Sequence, residues 1–485
     1  MDDRSLARRR RRPLVGLGAL LVAVGVGLLA PGCGPQAAHD PMTTVNTLEL
    51  SPRRYEAAMT ALDAEPRNPE YLRALRRFIS DPGYTLATRE AAFLRLERHD
   101  PAGLHEQITL ALPRLTAIQW RRRLCELIAE RKWTDLAPTL VRAWAEPMGA
   151  FPDEKDRPEY QALATMYGDA EVDALVFDLF VTASDLYQHN LRLRCWELLH
   201  RLGFRDRLVE LVRNTDPGRD ALLIDLRQGA IDLGIVPWNR QEILWLRVLR
   251  QPAYAGFWAE AIAASQRLTG VRALDLELRD LPVIVAAARH QPELLGLSTA
   301  DLYTRAESYV RSGRRHLNSR SYDGLGGEWA QRLFEQRDRL TWGDLAAILM
   351  ASQAMAVPEI VGHLFDYADR DLADRSTEYG GLVQLDPQGR FEVVEFVPTQ
   401  RRGDFTFIAS VDMIERGYTS LFHFHFHAQD HDSARYAGPG FGDSQYADVQ
   451  RTNCLVFTFI DSATLNVDYY RHDRVIVDLG EIKRP

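Results

Sequence analysis

Lysine is almost missing from this chain. Lys132, Lys155 and Lys483 are the only ones among 59 basic residues, and the rest are arginine. Acidic residues outnumber basic ones 67 to 59, giving a net charge of −8. A broad phosphate-binding surface needs the opposite sign, so no nucleic-acid partner is expected. Cysteine is also scarce: Cys33, Cys125, Cys195 and Cys454 are too few and too scattered for a disulfide framework or a zinc finger. Cys125 and Cys195 fall within apolar helical patterns, where buried free thiols belong. The one long apolar run, Leu14–Ala30, has 17 residues, at the lower limit for a membrane span, and nothing resembles a polytopic protein. A glycine-rich phosphate cradle, a G-x-S-x-G elbow and an H-E-x-x-H helix are absent as well. What is present is ordinary globular composition, 46% hydrophobic and 26% charged, over 485 residues, enough for two or three folded units.

The N-terminus differs from the rest. A basic block, Arg8–Arg12, precedes the apolar run, and Pro31-Gly32-Cys33 leads into the polar stretch Gly34–Asp40. This order describes a secretory signal. Leu29-Ala30-Pro31-Gly32-Cys33 resembles the bacterial lipobox, which implies cleavage before Cys33 and attachment of lipid there. Such a chain is exported and tethered to the bilayer by acyl groups, in the cell envelope and at its outer membrane, with the folded part in water. Residues 1–32 are then the signal peptide and 33–50 a linker. Removing residues 1–32 takes away six arginines and two aspartates, which makes the remainder more acidic.

From residue 51 to about 370 the apolar residues recur with the 3.6 period of helices. Trp120, Leu124, Leu127 and Ile128 share one face, and Leu136, Leu140, Val141 and Trp144 share the next. Further segments repeat the theme, including Glu171–Leu186, Leu191–Leu202, Ala221–Leu233, Trp329–Phe334 and Leu345–Met355. Prolines such as Pro66, Pro69, Pro101, Pro217, Pro237 and Pro252 fall between them, where helix ends belong. The polar stretch 312–327 reads as a loop. Arg123-Leu-Cys-Glu-Leu-Ile is matched by Arg194-Cys-Trp-Glu-Leu-Leu at an offset of 71 residues, close to two helical-hairpin repeats. The region resembles HEAT-type repeats, an all-α solenoid whose surface would receive protein partners.

At about residue 376 the pattern changes. Gly381–Leu385 and Phe391–Val397 read as strands around the turn Asp386-Pro-Gln-Gly389. Ser410–Arg416 reads as a short helix, Ser420–His427 as a strand and Ser444–Arg451 as a helix. Cys454–Ile460, Leu465–Tyr470 and Val475–Leu479 are further strands. The expectation is a multidomain chain: the helical region, then a C-terminal α/β domain over 376–485. Within it, His423, His425, His427 and His431 occupy nine residues, although the whole chain has only 13 histidines. Along a strand, side chains alternate faces, so His423, His425 and His427 point one way and Phe422, Phe424 and Phe426 the other. The phenylalanine face suits a core, which leaves the imidazoles in a cleft or on a surface. Two histidines at i and i+2 can turn neutral nitrogens toward one metal ion, and a catalytic zinc site needs a further ligand and a carboxylate base. His423/His425 and His425/His427 are both valid pairs, with His431 a further alternate ligand.

Glu378-Tyr-Gly-Gly-Leu, then His425-Phe-His427, then Pro439-Gly-Phe-Gly-Asp443 resembles the JAMM (MPN-plus) metalloprotease pattern: a glutamate, an H-x-H strand, then S-x-x-D. The resemblance covers about 376–482 and implies a JAMM-like α/β fold with Zn²⁺ held by His425, His427 and Asp443. It also implies Glu378 as the base that takes a proton from water, and cleavage of peptide, isopeptide or related amide bonds. His425/His427 is the favoured pair because Ala428-Gln429 starts the loop where the family pattern turns. The chain departs from the pattern in three places. Gly440 stands where the family has its oxyanion-stabilising serine, Ala428 stands where a proline is common, and the interval to Asp443 is longer. Asp443 also suits the N-cap of the helix that follows. The expected activity is a zinc-dependent hydrolase. The alternative is a non-catalytic envelope scaffold with a degenerate metal site, which Gly440 favours and Glu378 opposes.

Overall fold

The computed structural model describes residues 40–146, 148, 151, 153–183, 185–269, 275–310, 316, 330–398, 400–403 and 406–485. The expected signal, Cys33 and most of the expected loop over 312–327 lie outside these residues. Among the described residues no single helix is long and apolar enough to cross a membrane.

The chain divides into two compact units, residues 1–107 and 108–485. In the first, proline starts helices: Pro41–Asn46, Pro52–Leu62 and Pro69–Ser80 each carry it at the N-terminus, where its missing N–H costs nothing. Pro41–Asn46 lies inside the stretch expected as a linker, because the Asp40 carboxylate accepts the Thr43 amide and caps it. Tyr55, Phe78 and Tyr84 pack edge to face with centroids 4.6–5.6 Å apart and anchor this unit's core.

In the second unit the helices continue, with Ile118–Glu130 packed against Pro158–Tyr167, Val172–Thr182 against Asp185–Arg201, and Arg205–Asn214 against Ala221–Asp232. The helix expected over Glu171–Leu186 ends at Thr182, with Ala183 extended. Of the helix expected over Trp329–Phe334, only a single 3₁₀ turn, Leu333–Gln336, is present among the described residues. Six strands follow: β1 (Gly380–Leu385), β2 (Phe391–Phe396), β3 (Phe422–His427), β4 (Cys454–Asp461), β5 (Thr464–Arg471) and β6 (Val475–Lys483). They form one mixed sheet in the order β2-β1-β3-β4-β5-β6, in which β3 and β4 are parallel and all other neighbours antiparallel. Helical residues 108–373 belong to the same compact unit as this sheet.

A parallel pair needs a crossover, and residues 428–453, with helix Phe441–Gln450, provide it between β3 and β4. On one face Phe424 and Phe426 meet Phe457 at 5.7 Å, and Tyr367 of helix Pro358–Ala373 packs its ring against both. On the other face the crossover helix covers the sheet, with Ala447 and Tyr446 against Cys454, Val456 and Tyr470. Both faces of β3 are therefore interior, and of the two expected settings, a cleft or a surface, the surface is ruled out for His423 and His425, 5% and 3% exposed.

Candidate metal centre

Strand alternation delivers His425 and His427 to one face, and the crossover brings a carboxylate to them. Asp443 lies in the first turn of helix Phe441–Gln450, whose N-cap is Gly440. It is not the N-cap itself, as the sequence suggested, but sits three residues in, where its Oδ2 accepts the Gly440 amide at 2.5 Å. This bond sets the carboxylate's direction. His425 Nε2 lies 3.3 Å from Asp443 Oδ1 and 3.3 Å from His427 Nε2, and His427 Nε2 lies 3.6 Å from Asp443 Oδ2. A tetrahedron with metal–ligand bonds of 2.0–2.1 Å has edges of about 3.3–3.4 Å. The three side chains thus form a group that could hold a metal ion, and a donor set of two imidazoles and one carboxylate is compatible with zinc.

The surrounding groups fix the donors. His427 Nδ1 faces the Tyr436 carbonyl at 2.7 Å and donates to it, so in the neutral ring Nε2 turns its lone pair inward. His425 Nδ1 faces the Tyr470 hydroxyl at 3.5 Å, and Phe407 lies parallel to its ring at 6.3 Å. Gly380, opposite His425 on β1, leaves room for Phe407, since a Cβ there would meet the Phe407 ring at 2.7 Å and the Phe424 carbonyl at 2.4 Å. Burial lowers the His427 imidazole, but Asp443 and Glu378 outweigh it and bring the ring up to about 9. Burial raises the Asp443 carboxyl, yet the two histidines hold it well below the usual range. The site is electrostatically built for a cation.

Glu378 is 4% exposed. Phe426 donates its amide to the Tyr379 carbonyl, which extends the β1–β3 pairing beyond Gly380. One step further, that register sets Glu378 across from His427 on the same face. Gln429 Nε2 donates to Glu378 Oε1 at 3.0 Å. Asp468 of β5 shares this face of the sheet and pairs with Asp478 of β6; Asn466 Nδ2 bridges them at 2.8 and 3.3 Å. Burial and the neighbouring Asp478 push the Asp468 carboxyl well up. Gly440 supplies no hydroxyl, and Ser444 turns its Oγ to the Gly440 carbonyl at 3.2 Å.

The other two histidines go elsewhere. His423 faces the Tyr446 hydroxyl at 2.6 Å and lies against Gly417, where a Cβ would meet its Nε2. His431 packs edge-on against Phe459 at 4.9 Å. The structure therefore gathers His425, His427 and Asp443, sets Glu378 beside His427, and separates His423 and His431 from them. Sequence reasoning missed Gln429, Tyr436 and Phe407: none lies at a characteristic spacing, and Tyr436 acts through its backbone.

His423 gives this region a pH signature. Burial pushes its imidazole down to about 4, against an ordinary value near 6.5. A depressed histidine contributes stability that is complete above its unfolded value and lost as the pH falls toward its folded one. Urea midpoints of the metal-free protein should therefore fall between pH 7 and 5, His423 contributing up to about 2 kcal/mol of that loss. His423→Gln should show a shallower slope; an identical slope would mean His423 does not titrate this way.

Comparison of the chain with known protein families, with curated proteins and with solved structures finds no match, so the triad is read on its own geometry.

Proposed function

We propose that this chain is a zinc-dependent hydrolase of the JAMM type, exported and lipid-anchored through Cys33, that cleaves peptide, isopeptide or related amide bonds. The observation that carries the reading is the meeting of the His425 and His427 Nε2 atoms, 3.3 Å apart, with the Asp443 carboxylate, whose oxygens lie 3.3 Å from the one and 3.6 Å from the other, and with Glu378 set beside His427. Zinc, when bound, supplies a Lewis acid and brings water's ionisation near neutrality. His425, His427 and Asp443 would hold the ion. Glu378, oriented by Gln429, takes a proton from the attacking water and delivers it to the departing nitrogen. Without a serine at Gly440, turnover is expected to be slower by about 10²–10³-fold than with a full oxyanion hole.

The test sets the zinc-loaded full chain, in mild detergent, against quenched-fluorescence peptides and ε-linked isopeptides. Cleavage should stop with chelator and fall by about 10²–10⁴-fold in Glu378→Gln, which should keep its zinc. If zinc binds and no amide is cleaved, the second reading stands: an envelope scaffold whose solenoid-like helical region binds protein partners while the metal site is structural. Gly440 is the feature that favours it. For the anchor, Cys33→Ala should abolish labelling by a palmitate analogue and release the protein to the soluble fraction.

A further inference from the structure

Unpartnered buried polar atoms gather around one cavity that the metal site does not use. The cavity, of ≈ 760 Å³, lies where the end of helix Asp185–Arg201, the residues ahead of helix Trp342–Ala354 and the β5–β6 turn meet. At its wall stands Trp238. The Arg205 and Arg451 guanidiniums each lie 4.8 Å from an indole ring centroid, and the His200 ring lies 4.9 Å away. Trp238 Nε1, Arg205 Nε and Arg451 Nε are buried with no hydrogen-bond partner. The one oxygen in the same condition here is Glu242 Oε1, 3.4 Å from Arg451 Nε. Unpaired buried N–H groups are costly, and a native fold that concentrates them in one place is set to receive an acceptor.

The charges narrow the ligand. Arg451 is ion-paired with Glu277 at 2.9 Å, but Arg205 donates only to the Leu276 carbonyl at 2.5 Å and has no carboxylate partner among the described residues. His200, 7% exposed, is pushed down to about 3 by burial and by Arg205 alongside, so it remains neutral. The inner wall therefore offers Arg205 without a carboxylate partner, beside neutral donors and the Glu277 carboxylate, which Arg451 and His472 already engage. The mouth carries carboxylates: Asp275 is exposed, Asp448 is exposed with Oδ1 accepting the Asp473 amide at 2.8 Å, and the Asp473 side chain, 70% exposed, lies 2.8 Å from His472. Such a rim repels polyanions and accepts an ammonium group. The volume is that of a small-molecule site.

We propose that this cavity binds a small zwitterion of the amino-acid or short-peptide class, with its carboxylate at Arg205 and its ammonium at the Asp448–Asp473 mouth. The site is independent of the metal centre.

The test is calorimetric titration of the full chain with diglycine, N-acetylglycine, glycinamide and inorganic phosphate. Diglycine should bind saturably, and N-acetylglycine and glycinamide at least about tenfold more weakly, because each lacks one charge-assisted contact. Arg205→Gln should weaken diglycine by about tenfold or more and leave glycinamide unchanged. Asp448→Asn, an exposed change that leaves the fold intact, should weaken diglycine and not N-acetylglycine, which keeps the proposal testable if the Arg205 variant does not fold. No saturable diglycine binding, tighter binding of phosphate than of diglycine, or indifference to both substitutions would overturn the assignment.

Discussion

The full chain loaded with zinc and then desalted should retain about one ion per chain, and the double variant His425→Ala, His427→Ala should retain none. The expectation rests on what the triad means without an ion. Two imidazole nitrogens lie 3.3 Å apart with a carboxylate beside both, and the outward hydrogen bond of His427 to Tyr436 leaves its lone pair facing the other ring. That arrangement is repulsive unless a cation occupies it. In the metal-free protein a proton does so, which is why Asp443 and Glu378 hold the His427 ring at about 9. Metal must displace that proton. Below pH 9 the apparent zinc affinity should therefore weaken about tenfold for each unit of pH lost. Asp443→Asn should cost more than the ~10–100-fold of an outer-shell change, whereas Gln429→Leu should fall within that range. His423→Gln, whose ring serves Tyr446, should leave the zinc content unchanged. Zinc lost with His423 and kept without His427 would mean that the other histidine pair is the site. At a thousandfold excess over its dissociation constant, zinc should also stabilise the fold by about 4 kcal/mol, read as a chelator-induced drop in melting temperature.

Local pattern made the strands and the ligand pair legible. Period-2 alternation across Phe422–His427 put the phenylalanines and histidines on opposite faces, and prolines marked helix boundaries because they start helices as readily as they end them. Asp443 was found by motif spacing, although its position within the helix was not. What stayed hidden depends on contacts distant in sequence. The histidine face was expected in a cleft or on a surface because nothing local says that helix Phe441–Gln450 folds back over it. Gln429 reaches Glu378 across 51 residues, and Tyr436 contributes a backbone carbonyl that any residue type would provide. The break after Thr182 has a similar origin: the apolar period continues through Leu186, while the backbone turns extended at Ala183. The change of pattern at residue 376 was equally clear in the sequence, yet helices and sheet on either side of it share one compact unit. Among the bonds that join them are several between charged side chains far apart in the chain, which no periodicity reveals.

Removing one of those charges should have the largest effect on stability of any single change considered. Asp344 sits in the first turn of helix Trp342–Ala354, fully buried. It accepts from Arg279 Nη1 at 2.7 Å, from Arg471 Nε and Nη2 at 3.0 Å each, from the Tyr469 hydroxyl at 2.8 Å and from the Thr341 amide at 2.8 Å. Arg279 in turn donates to Asn453 at 2.8 Å and to Glu277 at 2.7 Å. Two donors to Asp344 thus come from the helical region, Arg279 and Thr341, and two from β5, Tyr469 and Arg471. Burial raises the Asp344 carboxyl, but Arg279 and Arg471 outweigh it and hold it well below the ordinary range. A depressed carboxylate contributes stability above its unfolded value and loses it as the pH falls through the folded one, so this cluster is intact at neutral pH. Asp344→Ala removes the carboxylate that two buried guanidiniums share, leaving Arg279 with Glu277 and Arg471 without its close counter-charge, which costs about 3–5 kcal/mol, against a total stability of ~5–15 kcal/mol. The exposed pair Arg484–Asp369, of similar geometry at 2.9 Å, provides the contrast: Asp369→Ala should cost no more than about 1 kcal/mol. Because the cluster ties helix to sheet, the Asp344 variant should lose helical circular dichroism and near-ultraviolet signal from the sheet's tyrosines in one transition at lower denaturant. Two separated transitions, or a loss equal to that of Asp369→Ala, would show that these bonds do not couple the two parts.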